Sequence, residues 1–454
     1  MGKRMLMLGV CLATAAGMAH GELQNVLVGG VLRIRGNVYN SEDDVLMFGG
    51  AQPLTDTSFV EQRTRLNVRA DFTDNVSAFL ELDSYDIWGE DFRSNYITGI
   101  DGRAFSGNDV EFYQAYIDVK EMWDTPLHLR IGRQELAFGS QFLVGVNDTS
   151  AFFTGLSFDA IRVGYETDMV AVDVFAAKLA ETFGDFGDDD VDLYGVYGSY
   201  LGLEDVTIDA YWLYLRDDGG NKFGGFDRDV HTVGIRGAVD SWNNFDAEAE
   251  VAYQFGEVDD VPGAFFGLFN SDVEYNAFAV NGEIGYTFDV AWQPRLFVGG
   301  AWFDGGDDEC DYWWQSNDRD LPFNRLFSNW EYSEFIDNTD LSNAIIYRAG
   351  VSAQPTEALG LRLAAAYYQA DAQRTNCGPF GDCDKADDNL GWEVGLYADY
   401  DYSDDLVFRA GYAHFFSGDG VDEGNFVRGN GLLPLLASDD DDYDYFFLES
   451  EVSF

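Results

Sequence analysis

Arginine recurs in this chain on the polar positions of stretches that alternate apolar and polar residues. Arg33 and Arg35 share one stretch, Arg63, Arg65 and Arg69 the next, and Arg130, Arg162, Arg236, Arg295, Arg348, Arg362 and Arg409 follow. A guanidinium stays charged, and its planar fork pairs a carboxylate through two parallel hydrogen bonds. Neighbours on one face of a strand stand about 7 Å apart. Such a ladder offers an anionic solute successive weak sites, which let it enter and still leave. Carboxylates share the same parity at Glu81, Asp83, Asp118, Asp209, Asp246, Glu248, Glu250, Glu283, Glu393, Asp399, Glu449 and Glu451. They support a second reading, in which acid and arginine neutralise each other and make an interior wettable. The first two stretches are basic and several later ones acidic, so charge is separated across the assembly.

The elements that must carry these side chains are strands. About 18 are predicted, over 29–39, 60–72, 75–87, 109–120, 126–135, 157–166, 169–179, 190–202, 205–216, 227–239, 243–256, 274–287, 292–303, 341–354, 358–371, 390–402, 404–417 and 443–454. Phe245, Ala247, Ala249, Val251, Tyr253 and Phe255 alternate with Asp246, Glu248, Glu250 and Gln254. Period two sends the first set to one face and the second to the other. The last strand repeats this, with Phe446, Leu448, Val452 and Phe454 against Glu449, Glu451 and Ser453.

The connections alternate long and short. Phe72-Thr73-Asp74-Asn75 and Tyr402-Ser403-Asp404-Asp405 are tight turns, whereas 40–59, 88–108, 136–156, 304–340 and 418–442 are long. That rhythm belongs to a transmembrane antiparallel β-barrel. A bilayer core offers no water, so backbone polar groups must pair internally, in helices or closed barrels. Beyond residue 21 no run approaches 18 uncharged apolar residues, which leaves the barrel. Its apolar face meets outer-membrane lipid and lipopolysaccharide, and its polar face lines a watery lumen. Short turns face the periplasm and long loops the exterior, so both termini are periplasmic.

Residues 1–21 read as an export signal: Lys3 and Arg4, an apolar stretch from Met5 to Met18, then small residues. Residues 22–454 form the barrel. A net charge of −54 excludes nucleic acid as a partner. Only His128, His231 and His414 remain past the signal, in no catalytic constellation, so the chain is not read as an enzyme. No cofactor is expected. Acidic runs at 305–309, 188–190 and 438–442 offer oxygens to Ca2+, but none matches a defined calcium loop. Solvated acidic faces are their default reading. Cys377 and Cys383 suit a disulfide, with Cys310 as the competing partner. The stretch 304–340, with Trp313, Trp314, Phe323, Phe327 and Trp330, is read as a loop that folds over or into the pore, against an ordinary exposed loop whose aromatics pack locally. The sequence favours neither monomer nor trimer.

Leu129-Arg130-Ile131-Gly132-Arg133-Gln134-Glu135-Leu136-Ala137-Phe138-Gly139, followed by Phe158-Asp159-Ala160-Ile161-Arg162, resembles the alginate export family of outer-membrane barrels. Phe59 to Leu66 and Phe112 to Ile117 are similar in style. The resemblance implies an 18-stranded barrel, in agreement with the independent strand count, and a polyuronate cargo. Inward acids rival the arginines here, however, where an exporter of a polyanion should offer a positive constriction. The functional expectation is therefore a channel passing anionic or carbohydrate solutes, alginate-like polyuronate among them, through an arginine-lined lumen. A general diffusion porin, cation-preferring in one form, stays open as the alternative, and a structural or adhesive barrel as a minor one. Strict alternation would put Arg133 against lipid; a bulge at Gly132 is expected to turn Arg133 and Glu135 into the lumen, with a rim ion pair of little consequence as the alternative.

Overall fold

The computed structural model of the protein describes residues 23–41, 57–89, 110–146, 148, 153–181, 190–218, 227–262, 270–306, 320–333, 341–373, 375–377, 383–423, 425, 427–428 and 442–454. The expected export signal lies outside them. Eighteen long strands run in chain order: β1 (Asn25–Ser41), β2 (Thr57–Thr73), β3 (Val76–Ile87), β4 (Glu111–Val119), β5 (Leu127–Gln134) and β6 (Phe158–Glu166). They continue as β7 (Val170–Ala180), β8 (Val191–Leu203), β9 (Val206–Asp218), β10 (Asp227–Trp242), β11 (Phe245–Pro262) and β12 (Asn270–Thr287). The last are β13 (Arg295–Phe303), β14 (Ala344–Thr356), β15 (Leu359–Ala370), β16 (Asn389–Ser403), β17 (Leu406–Ser417) and β18 (Tyr443–Ser453). Each pairs antiparallel with its chain neighbour, and β18 closes on β1 with Arg35 opposite Glu449. The sheet has no edge, so every ladder finds a partner.

Alternation decides which face meets what. On β11, Phe245, Val251 and Phe255 are exposed on the outer surface, while Glu250, Ala252 and Gln254 are buried within. On β18, Phe446, Leu448 and Phe454 point out and Glu449 points in. At the end with short turns the outer surface carries Trp123, Trp242, Trp292 and Tyr402, all exposed. Such rings sit at a lipid–water interface, where one part of the side chain is apolar and another polar.

Two of the long connections do not stay outside. Leu136, Phe142 and Val144 from the β5–β6 connection are buried, as are Phe323, Arg325 and Trp330 from the β13–β14 connection. The expectation for 304–340 holds at 320–333, whereas Trp313 and Trp314 lie outside the described residues. The β5–β6 connection, read from sequence only as a long loop, folds in as well. Short strand pairs cap the same end: Leu341–Ser342 with Val427–Arg428, and Thr375–Cys377 with Cys383–Lys385. The second sets Cys377 directly across from Cys383. Cys310 lies outside the described residues, as do most of the acidic runs considered for calcium.

The expected bulge at Gly132 is corrected. Gly132 pairs in register with Tyr116, and Arg133 with Ala115. Ile131 and Arg133 therefore share the outer face, where Arg133 makes an exposed ion pair with Asp159 at 2.8 Å. The irregularity sits on β4 instead, where Tyr113 and Gln114 both turn inward as the β3 register shifts between Glu81 and Leu82. Glu135 alone reaches the interior, just past the end of β5. Gly132 keeps a special role, with φ +130° and a Cβ position 2.2 Å from the Ala115 carbonyl oxygen. Gly132→Ala is expected to cost about 1–3 kcal/mol of backbone strain. The check is the urea midpoint of the folded form in detergent; an unmoved midpoint contradicts the strain.

Candidate functional site

The arginine cluster is built by register. Arg33 on β1 lies directly opposite Arg63 on β2, with Arg65 opposite Val31 and Glu61 opposite Arg35. Like charges across a ladder repel, so this wall needs counter-charges. From β18, Glu449 approaches Arg33 at 2.8 Å and Arg35 at 2.7 Å, and it also takes a 2.7 Å bond from Arg409 on β17. From β3, Asp83 accepts from Arg65 Nε at 3.1 Å. The third source is Asp148, far along the β5–β6 connection, which stands 2.5 Å from Arg63, 2.6 Å from Arg65 and 3.6 Å from Arg33.

Nearby backbone and rings complete the enclosure. The Phe153 carbonyl accepts from Arg63 at 2.8 Å, and the Thr154 carbonyl from Arg65 at 3.1 Å. The Phe153 ring lies 4.6 Å from the Arg33 guanidinium and 5.3 Å from that of Arg35. Arg65 stacks on Tyr113 at 3.7 Å, and the Tyr113 hydroxyl donates to Glu135 at 2.7 Å. Burial pushes the Glu135 carboxyl above its usual range, against that hydrogen bond and the nearby Arg65 charge. The four arginines are only 2–5 % exposed, so little of their surface meets the lumen.

The remaining predicted arginines are also engaged. Arg69 pairs with Asp71, Arg130 with Asp118 and Arg162 with Asp173. Arg236 joins Asp209 and Glu248, and Arg295 joins Asp246 and Glu283. Arg348 bonds Glu283 at 2.6 Å and the Glu331 carbonyl at 2.8 Å. Arg362 lies over the Tyr397 ring at 4.6 Å. Arg133 alone among the expected lumen arginines lies on the outer face.

The infolded connections cross the barrel. Phe138 stacks on Phe175 of β7 and Tyr197 of β8, Ser140 donates to Glu250 of β11 at 3.0 Å, and Phe142 stacks on Phe303 of β13. Further along, Asp148 and Phe153 reach β1 and β2 on the opposite wall. The second segment docks against the first: the Leu143 carbonyl accepts from Phe327 N–H, and the Gln141 carbonyl from Asn329 N–H, both at 2.9 Å. Gln254 of β11 brackets Asn324 with two bonds of 2.7 Å. Beside this crossing remains a cavity of about 300 Å³ lined by Asp246, Glu248, Glu283, Trp330 and Arg348. A neighbouring one of about 220 Å³ shares Glu283 and Arg348 and adds Arg295, Arg362, Glu393 and Tyr397. The lining of both cavities is polar and mixed in charge.

A family model described as alginate export matches residues 25–430. The chain belongs to the alginate export family. Solved structures with the same fold include OccK8 (OprE) of Pseudomonas aeruginosa, with a TM-score of 0.54 and 14% identity over 94% of this chain and 98% of that one. OccAB3 of Acinetobacter baumannii gives a TM-score of 0.55 and 12% identity over 94% and 99%. No curated protein matches the chain. This alginate export family member is thus an outer-membrane β-barrel, a channel and not an enzyme. Its apolar outer face meets membrane lipid.

Sequence reasoning found the basic wall of this family member but missed what covers it. Asp148 and Phe153 lie in a connection without alternation, where nothing marks an inward residue. The one available signal was aromatic density between the Gly-Arg-Gln-Glu-Leu motif and Phe158, which is high for a solvent-facing loop.

Proposed function

We propose that this protein is a constricted diffusion channel for small polar solutes, taking cationic and neutral ones, sugars included, ahead of anions. The carrying observation is that its lumen arginines are matched by carboxylates. In the cluster, Arg33, Arg35, Arg63, Arg65 and Arg409 face Glu61, Asp83, Glu135, Asp148, Glu449 and Glu451, five guanidiniums against six acids. Across the barrel Arg236, Arg295 and Arg348 face Asp209, Asp246, Glu248 and Glu283, three against four. A lumen with that excess concentrates cations and repels a polyanion. The crossing segments leave spaces suited to a small solute rather than to a hydrated polymer. In this reading the short-turn end and both termini face the periplasm, since exposed loops of such barrels are the longer ones.

The experiment is a zero-current potential in a planar bilayer under a KCl gradient, with liposome swelling for size. Cation preference, swelling with monosaccharides and exclusion of long polyuronate are expected. Anion preference, or passage of long polyuronate, would restore the exporter reading. The cavity side supplies a companion prediction. Glu283→Gln removes the acid shared by Arg295 and Arg348 and is expected to weaken cation preference measurably in the same recording. An unchanged zero-current potential would place the ion path elsewhere.

A further inference from the structure

We infer that Asp148 is a tethered carboxylate seated in an anion site formed by Arg33, Arg63 and Arg65, and that a free carboxylate solute competes with it for that site. The inference rests on the channel reading above and adds a self-blocking contact to it.

The guanidinium edges carry the argument. Arg65 gives its Nε edge to Asp83 on the wall at 3.1 Å and its terminal Nη1 to Asp148 at 2.6 Å. Arg33 divides itself the same way, with Nε toward Glu449 at 2.8 Å and Nη1 toward Asp148 at 3.6 Å. Arg63 turns Nη1 to Asp148 at 2.5 Å. Wall acids thus hold the forks of Arg33 and Arg65, the Phe153 carbonyl takes a second bond from Arg63, and the lumen-directed tips of all three converge on one carboxylate. That carboxylate is also the accessible member of the group: its side chain is 22% exposed, against 3–5% for the three arginines.

A carboxylate brought by a strand belongs to the barrel wall and leaves only on unfolding. Asp148 comes from a connection and can leave while every ladder pair from β1 to β18 stays closed. Its departure would uncover three preorganised donor tips beneath the Phe153 ring, which lies 4.6 Å from Arg33 and 5.8 Å from Arg63. A monocarboxylate reproduces what Asp148 presents, whereas a neutral sugar does not. A tethered group acts at an effective concentration in the millimolar range. The wild-type channel should therefore ignore dilute carboxylates and respond only to concentrated ones.

The test uses the full-length protein in planar bilayers, as wild type, Asp148→Asn and Asp148→Glu, with glucuronate as probe and glucose as neutral control. Asp148→Asn is expected to shift the zero-current potential toward anions and to lower the half-blocking glucuronate concentration by about tenfold or more. Glucose should act equally on all three, and Asp148→Glu should restore the wild-type response. Equal glucuronate block in wild type and Asp148→Asn overturns the assignment, as does an equal change with glucose. Should Asp148→Asn not fold, the double variant Arg63→Gln, Arg65→Gln decides. Loss of high-concentration glucuronate block supports the site, and its persistence refutes it. Failure of the channel reading would appear in the wild-type current itself, whereas failure here appears only in the difference between variants.

Discussion

Replacing Glu449 by alanine is expected to lower the unfolding free energy of the barrel by about 3–5 kcal/mol, the usual cost of stripping one partner from a buried charged group. Its carboxylate is fully buried and holds Arg33, Arg35 and Arg409 within 2.8 Å. Arg33 and Arg35 belong to β1 and Arg409 to β17, and Glu449 sits on β18 between them. The loss therefore falls on the seam where the last strand meets the first. Without the acid, Arg33 and Arg63 keep their direct cross-strand opposition with one counter-charge fewer. Glu449→Gln keeps the volume and one acceptor oxygen while removing the charge, so its loss should be intermediate. The urea midpoint of the compact form in detergent reads both. If alanine leaves that midpoint in place, water from the lumen has replaced the carboxylate, and the buried-cluster account fails.

The fold was legible because a membrane barrel writes its two solvents into alternate residues. Phe245 to Phe255 and Tyr443 to Phe454 announce their faces without any knowledge of partners, and the strand count follows from counting such stretches. Register was not legible. Parity says that Arg33 and Arg63 point inward, but their direct opposition depends on where the 42–56 connection lets β2 begin. Arg133 keeps the outer face that strict alternation gives it, because β5 pairs with β4 and β6 without a register break at Gly132. What the β5 sequence does not contain is the irregularity on the neighbouring β4, where Tyr113 and Gln114 both turn inward. Asp148 was invisible for a third reason: a connection that turns inward has no period. Its direction is set by long-range contacts, such as Phe142 on Phe303 and the Leu143 carbonyl accepting from Phe327. The aromatic content of 304–340 did signal burial, because Phe323 and Trp330 would be costly to leave in water.

Replacing the β13–β14 connection by a short Gly-Ser linker is expected to raise single-channel conductance several-fold without unfolding the barrel. The described part of that connection is a closed packing unit. Arg325, 1% exposed, donates to the Ser328 hydroxyl at 2.8 Å and to the Leu341 carbonyl at 3.3 Å, between the rings of Phe303 and Tyr332. Trp330 meets Phe142 edge to face, which ties the unit to the β5–β6 connection. The wall does not depend on it: β13 pairs with β14 from Arg295–Ser352 to Phe303–Ala344, whatever joins them. Removal therefore opens cross-section while leaving the ladder intact. It also strips the docking bonds of Gln141 and Leu143, so the first segment should fluctuate and the current become noisier. Arg325→Ala is the point version, since it takes one donor each from the Leu341 carbonyl and the Ser328 hydroxyl and opens a void between two rings. It should give the same noise with a smaller rise in mean conductance. Unchanged conductance in the linker variant would mean that ions pass by a route these segments do not narrow, and both cavities beside Glu283 and Arg348 would lose their claim to be the path.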